Sequence, residues 1–227
     1  MERLGWRISE QSELMCRSLP GVYLITDRHQ IHKKKTLLET VDELLQAGLR
    51  MIQLREKDLS AAELYPLAKE LRCLTHQYHS LLLINDRVDL AQAVNADGVH
   101  LGHHSLPIDV ARKVIGSKLL IGASTHSHSE ITRAYEQGAD FVTYGPVYFT
   151  PSKAPYGKPV GLQSLQDICK YAPLPVYALG GVKTENALET LQSGVAGIAA
   201  ISALLSTPSP AQAYANLTKV LIQHKKS

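Results

Sequence analysis

Apolar residues in this chain cluster in short runs of four or five, rich in Leu and β-branched side chains, and stretches with helical spacing separate them. Continuous apolar runs of that length fit strands buried on both faces, and their alternation with helices is the mark of βαβ units around a parallel sheet. Eight runs read as strands: 22–26, 51–54, 81–84, 98–101, 120–123, 141–144, 176–179 and 197–201. Helical stretches lie near 36–47, 60–78, 87–94, 108–115, 128–137, 162–171, 184–193 and 210–224. Ser60 with Glu63, and Ser127 with Glu130, have capping-box spacing, and Thr184 suits the N-cap of the seventh helix. Gly48, Gly138 and Gly194 each follow a helix, where a left-handed backbone suits glycine.

Eight strand-then-helix repeats close naturally into a barrel. The alternative is a doubly wound open sheet, but no GxGxxG follows the first strand. The pattern therefore predicts an α/β protein with a single (β/α)8 TIM barrel over residues 21–227. Residues 1–20 carry charges throughout and read as an N-terminal extension, an extra helix or arm, rather than a secretory signal.

Composition narrows the partners. Lys and Arg number 24 against 21 Asp and Glu, a formal net charge of +3, too small to select nucleic acid. The basic patches His32-Lys33-Lys34-Lys35 and His224-Lys225-Lys226 read as solvated helix ends. No run is long enough to span a bilayer, so no membrane partner is expected. Cys16, Cys73 and Cys169 are scattered with no CxxC, which argues against a disulfide framework or a thiolate metal site and fits a reducing cytoplasm. The chain leaves formation of a homo-oligomer open.

In a barrel of this kind, chemistry belongs on the loops after the strand C-termini, and those loops are polar here. The second strand runs into Gln53-Leu54-Arg55-Glu56-Lys57, and in an extended segment residues 53, 55 and 57 face one side. Three such donors suit a phosphate or diphosphate, although a solvated strand end with local ion pairs through Glu56 and Asp58 would look the same. The third strand ends at Asn85-Asp86, oxygen ligands of the kind Mg²⁺ accepts and also good helix caps. The fifth ends in Ser124-Thr125-His126, where a histidine can serve as acid or base, or simply satisfy backbone groups. After the sixth comes a long loop, 145–159, with Thr150, Ser152 and Lys153 within four residues. Gly180-Gly181 after the seventh strand and Ile201-Ser202 after the eighth have the form of a barrel phosphate cradle. Donors for two anionic groups thus converge on one mouth, so the expected partners are small phosphorylated molecules.

Several of these segments are recognisable: Gln53-Leu-Arg-Glu-Lys57, Ile84-Asn-Asp-Arg87, Ala96-Asp-Gly-Val-His-Leu-Gly102, Gly145-Pro-Val-Tyr148, Thr150-Pro-Ser-Lys153, Ala178-Leu-Gly-Gly181 and Ile201-Ser202. In that order they resemble the thiamine phosphate synthase and thiazole tautomerase family of small barrels, from about residue 22 to 222. For the synthase branch the resemblance implies condensation of a hydroxymethylpyrimidine diphosphate with a thiazole phosphate, releasing diphosphate. It assigns Gln53, Arg55, Lys57, Asn85 and Lys153 to the pyrimidine diphosphate, Asp86 to Mg²⁺ and Ser124 to the pyrimidine side. Thr150, Ser152, Gly180, Gly181, Ile201 and Ser202 fall to the thiazole phosphate.

One position departs from that pattern. The resemblance places a second Mg²⁺-binding aspartate at position 105, and Ser105 stands there. One charge fewer weakens Mg²⁺ binding, although a diphosphate supplies oxygens and His103 or His104 can assist a softer ion such as Mn²⁺. Ser105 can also cap the helix that begins near Leu106-Pro107. The Ser-Leu-Pro pattern is similar to the tautomerase branch, which moves a proton on a thiazole carboxylate phosphate without metal and whose acid/base histidine matches His126. A non-catalytic thiazole-phosphate-binding regulator is the third reading. Against the tautomerase, Arg55, Lys57 and Lys153 gathered in one cleft repel by roughly 1 kcal/mol or more unless an anion sits between them, which favours a diphosphate substrate.

Overall fold

The computed structural model describes residues 19–150 and 158–225. Most of the expected N-terminal extension, together with Ser152 and Lys153, lies outside the described residues.

Eight parallel strands form a closed barrel in sequence order: β1 (Val22–Ile25), β2 (Met51–Leu54), β3 (Leu81–Asn85), β4 (Gly98–Leu101), β5 (Leu120–Thr125), β6 (Phe141–Tyr144), β7 (Val176–Leu179) and β8 (Gly197–Ala200). Pairing of Tyr23 with Ala199 brings β8 back onto β1 and leaves no sheet edge. The helices on the outside are α1 (Leu37–Gln46), α2 (Ala61–Gln77), α3 (Val88–Ala93), α4 (Ile108–Ile115), α5 (His128–Glu136), α6 (Gly161–Tyr171), α7 (Ala187–Gln192), the short α8 (Ser202–Leu205) and α9 (Pro210–His224). Among the described residues no helix is long and apolar enough to cross a membrane.

Helix starts follow the side chains that can satisfy free N–H groups. Ser60 and Glu63 form the reciprocal box at α2, and Thr36 with Glu39 forms a second at α1. Ser127 accepts from Glu130 N, but the Glu130 carboxylate turns instead to His126 N at 2.7 Å. Thr184 does not cap. It opens a 3₁₀ turn, Thr184–Asn186, and it is the Asn186 side chain that accepts from Lys183 N at 2.7 Å. Gly48, Gly138 and Gly194 have φ of 106°, 93° and 87°, as the turns after their helices require.

Alternate residues of each strand divide between two cores. One set, including Leu24, Ile52, Leu82, Val99, Ile121, Val142 and Ile198, packs against the helices. The other set points into the barrel, where Tyr23, Ile25, Met51, Leu83, Phe141, Tyr177 and Ala199 form a separate cluster. Tyr23, Phe141 and Tyr177 meet edge to face with ring centroids 5.5 to 5.8 Å apart. These rings need small neighbours. A Cβ on Gly122 would lie 2.4 Å from Phe141 Cζ and 2.6 Å from His100 Nδ1, and a Cβ on Gly197 would lie 2.6 Å from Tyr177 Cε1. Replacement Gly122→Ala should therefore overpack the lumen and lower stability by about 1–3 kcal/mol, read as a shift of the urea midpoint at constant slope. An unshifted midpoint would contradict this packing.

Candidate active site

Above the aromatic cluster the barrel lumen turns polar. Gln53 is 1% exposed, and its Nε2 donates to the Tyr23 hydroxyl at 2.7 Å. That hydroxyl is 3.2 Å from His100 Nδ1, and His100 Nε2 is 3.0 Å from Ser124 Oγ. Burial pushes the Tyr23 phenol upward. It pushes the His100 imidazole down from 6.5 to about 3, the nearby Asp86 charge opposing the shift and Arg55 adding to it. Asp86 N donates to His100 O at 3.0 Å and Leu54 of β2 pairs with Ile84 of β3, so the C-terminal ends of β2, β3 and β4 lie side by side, with Ser124 of β5 bonded to the His100 ring.

The loops after β1 and β2 are tied together by charge. Arg28 Nη1 and Nη2 donate to the two Asp58 oxygens at 2.6 and 2.5 Å, and Nη1 also reaches Glu56 Oε2 at 3.2 Å. The Asp58 carboxyl is held well below the usual range, first by Arg28 and then by His29. Arg55 N donates to Thr26 Oγ1 at 2.8 Å, which fixes the point where the chain leaves β2. Extended geometry ends there: Leu59 N bonds to Glu56 O, turning the chain. The expected row of residues 53, 55 and 57 is therefore broken. Gln53 is buried in the lumen, Arg55 is half-buried at the mouth and Lys57 is exposed on the turn.

Asp86 has φ of 61°, a left-handed conformation that is uncommon outside glycine and more frequent in Asp and Asn. No side chain caps α3, whose N-cap is Arg87. Instead Asn85 Nδ2 donates to Asp86 Oδ2 at 2.6 Å, and Ser105 Oγ donates to Asp86 Oδ1. Gly102 N donates to Ser105 Oγ at 2.6 Å. Ser105 does not cap α4 either, whose N-cap is Pro107. Asn85, Asp86 and Ser105 thus form a compact group with oxygen ligands and a single charge. Among the described residues no three His, Cys, Asp or Glu side chains group to hold a metal ion by themselves. This group fits Mg²⁺ in its usual mode, one or two carboxylates with waters and substrate phosphate completing the shell.

On the β5–β8 side a cavity of about 540 Å³ opens at the strand C-termini. Of the predicted residues, Ser124, His126, Thr150, Gly180, Gly181, Ile201 and Ser202 all line it. His126 Nδ1 donates to Gly145 O at 2.6 Å. Gly180 and Gly181 have φ of 98° and 70°, and the loop after β6 crosses them closely, with Tyr148 N bonded to Gly180 O at 3.0 Å. A Cβ at either position would collide with Pro146 or Tyr148, so bare backbone is required here for the crossing itself. Lys153 and Ser152 are expected on this loop but lie outside the described residues.

Two features escaped the sequence reading. The lumen network uses Tyr23 and His100, which look like ordinary core residues in their apolar runs. Thr143 lines the same cavity, and its Oγ1, like that of Thr150, is buried with no hydrogen-bond partner. A buried hydroxyl without a partner costs free energy unless something else satisfies it, so both are candidates to meet a ligand.

A closed parallel barrel with a polar cavity at its strand C-termini has the layout of a TIM-barrel enzyme. More specifically, the chain belongs to the thiamine monophosphate synthase family, whose model matches residues 22–204. It is 52% identical over 190 residues to a putative thiamine-phosphate synthase of Geobacter sulfurreducens, covering 84% of this chain and 89% of that one. It is 46% identical to putative thiamine-phosphate synthase 2 of Aquifex aeolicus, covering 82% and 98%. Among solved structures it resembles the thiamine phosphate pyrophosphorylase of Pyrococcus furiosus, with a TM-score of 0.81, 40% identity, and 89% and 96% coverage.

The depressed His100 pKa makes stability depend on pH with a definite sign. Between about 6.5 and about 3 the unfolded chain binds a proton that the fold excludes. The contribution is complete above pH 6.5 and is lost on acidification, at up to about 1.4 kcal/mol per pH unit. Urea midpoints should fall more steeply on acidification below neutrality in the unmodified protein than in His100→Gln. Parallel curves would contradict a buried neutral imidazole.

Proposed function

We propose that this protein is a thiamine-phosphate synthase, joining a hydroxymethylpyrimidine diphosphate to a thiazole phosphate with release of diphosphate. The observation that carries this reading is the two-sided mouth. Asp86 N bonds to His100 O where β3 and β4 end, Arg55 follows the adjoining end of β2, and the His100 ring bonds to Ser124 on the rim of the β5–β8 cavity.

In this reaction the bond between the pyrimidine methylene carbon and the diphosphate oxygen breaks, and the oxygen keeps the electron pair. The thiazole nitrogen then supplies the pair for the new C–N bond. Arg55, Lys57 and Lys153 bind the diphosphate and stabilise the charge that grows on it as it leaves. Asn85 supports the same group, and Gln53 acts from beneath through Tyr23. Ser124 orients the pyrimidine. Thr150, Ser152, Gly180, Gly181, Ile201 and Ser202 hold the thiazole phosphate through hydroxyls, backbone N–H groups and the start of α8, so the nucleophile is placed rather than activated. Asp86, with Asn85 and Ser105 beside it, would hold Mg²⁺. When bound, the ion offsets charge on the departing diphosphate.

A second reading has one specific support. His126 lines the cavity with Nδ1 bonded to Gly145 O, which leaves Nε2 to serve as the acid/base atom that a metal-independent thiazole tautomerase would require. Names of the relatives favour the synthase.

With both precursors present, Mg²⁺-dependent diphosphate release is expected. Arg55→Ala should lower kcat by about 10²-fold or more, and Asp86→Asn should raise the Mg²⁺ concentration needed for half-maximal rate. No diphosphate under any divalent ion would overturn the synthase. Metal-independent isomerisation of a thiazole carboxylate phosphate, lost in His126→Asn, would replace it with the tautomerase.

A further inference from the structure

The lumen network has a direction. Gln53 Nε2 has only protons to offer, so at 2.7 Å the Tyr23 oxygen must accept. Tyr23 is then free to turn its own proton to His100 Nδ1, 3.2 Å away. A neutral imidazole that accepts at Nδ1 carries its proton on Nε2, which lies 3.0 Å from Ser124 Oγ. Ser124 accepts that proton bond, and the hydrogen of its own hydroxyl is left to point away from His100, to the cavity that Ser124 lines.

We propose that His100 is a positioning residue, held as the Nε2–H tautomer by Gln53 and Tyr23, that fixes Ser124 as a hydrogen-bond donor to the substrate ring. The proposal deepens the synthase reading and rests on it for the identity of that ring: Ser124 presents a proton, which suits a ring atom with a free lone pair.

Two observations support it. The imidazole is 3% exposed and bonded at both nitrogens, so it can neither rotate nor exchange partners with water. Room for the ring is made by Gly122, the inward residue two before Ser124 on β5, where a Cβ would come within 2.6 Å of His100 Nδ1.

The tautomer can be read without any assay of activity, by ¹⁵N NMR of the full chain labelled at histidine. The expected result is one neutral imidazole with a protonated Nε2 and a bare Nδ1, redistributed between tautomers in Tyr23→Phe. A protonated Nδ1 on His100 would overturn the proposal. Kinetics supply the second arm. Ser124→Ala and His100→Leu should each lower kcat/KM by about 10- to 100-fold, and the double variant should be no worse than Ser124→Ala alone. His100→Gln keeps an N–H donor and should recover most of the rate, which also guards against a folding defect in His100→Leu. Losses that simply multiply in the double variant would overturn the relay. Absence of diphosphate release with the Nε2–H tautomer intact would remove the synthase reading and still support the relay.

Discussion

Closure of eight short strands leaves a lumen only wide enough for side chains, and that restriction governs the rest of the molecule. Every inward position is filled by protein, so an apolar side chain there must fit its neighbours and a polar one must find a partner among them. Tyr23, Phe141 and Tyr177 satisfy the first demand by meeting edge to face over glycines. The two tyrosines satisfy the second in opposite directions. Tyr177 donates to Pro20 O at 2.6 Å, at the N-terminal end of the barrel, and Tyr23 reaches Gln53 and His100 at the catalytic end. The floor of the site is thus part of the core, and it is rigid for the same reason.

From that floor the loops inherit their geometry. Arg55 leaves β2 at a point pinned by Thr26, and Arg28 binds both the exposed Asp58 and the buried Glu56. These carboxylates tie the loops after β1 and β2 together. Asp86 is kept in a strained backbone conformation by the strand behind it and by two neutral partners, Asn85 and Ser105. Such an arrangement orients a carboxylate without neutralising it, as preorganisation for a cation or a phosphate-bound ion demands.

How much of this could be read along the chain follows from the range of each interaction. The barrel was legible because burial on both faces makes each strand an unbroken apolar run, and the polar residues at the run ends were legible as a site because strands in such a barrel point their C-termini the same way. Most of the proposed thiazole-phosphate residues do line one cavity. Local turns were less legible. Lys57 was expected in line with Gln53 and Arg55, but the chain turns one residue earlier, held by Leu59 N on Glu56 O. Thr184 looks like a cap, yet it opens a 3₁₀ turn in which the Asn186 side chain reaches back to Lys183 N. Least legible was the lumen network, since Tyr23 and His100 are 77 positions apart and each sits in an apolar run. Thr143 was hidden in the same way within Phe141–Tyr144.

The two halves of the mouth differ in charge, and the neutrality of His100 between them has a chemical reason. Arg55 and Asp86 follow the ends of β2 and β3, with Lys57 exposed on the turn beyond, whereas the β5–β8 side offers hydroxyls and backbone from Ser124, Thr150, Gly181 and Ser202. In the proposed reaction the departing diphosphate belongs with the charged half, and the pyrimidine that turns cationic lies over Ser124. A protonated imidazole under it would oppose that charge. Two unit charges about 5 Å apart at an effective dielectric of about 20 repel by about 3 kcal/mol, or roughly two powers of ten in rate. Burial removes this penalty by keeping His100 uncharged, and the two hydrogen bonds keep its burial tolerable. A carboxylate in its place would stabilise the cation but would also hold it back from the thiazole nitrogen and repel the diphosphate. A neutral donor chain can orient the ring without favouring either charge, which suits a step in which opposite charges must separate before the new bond forms.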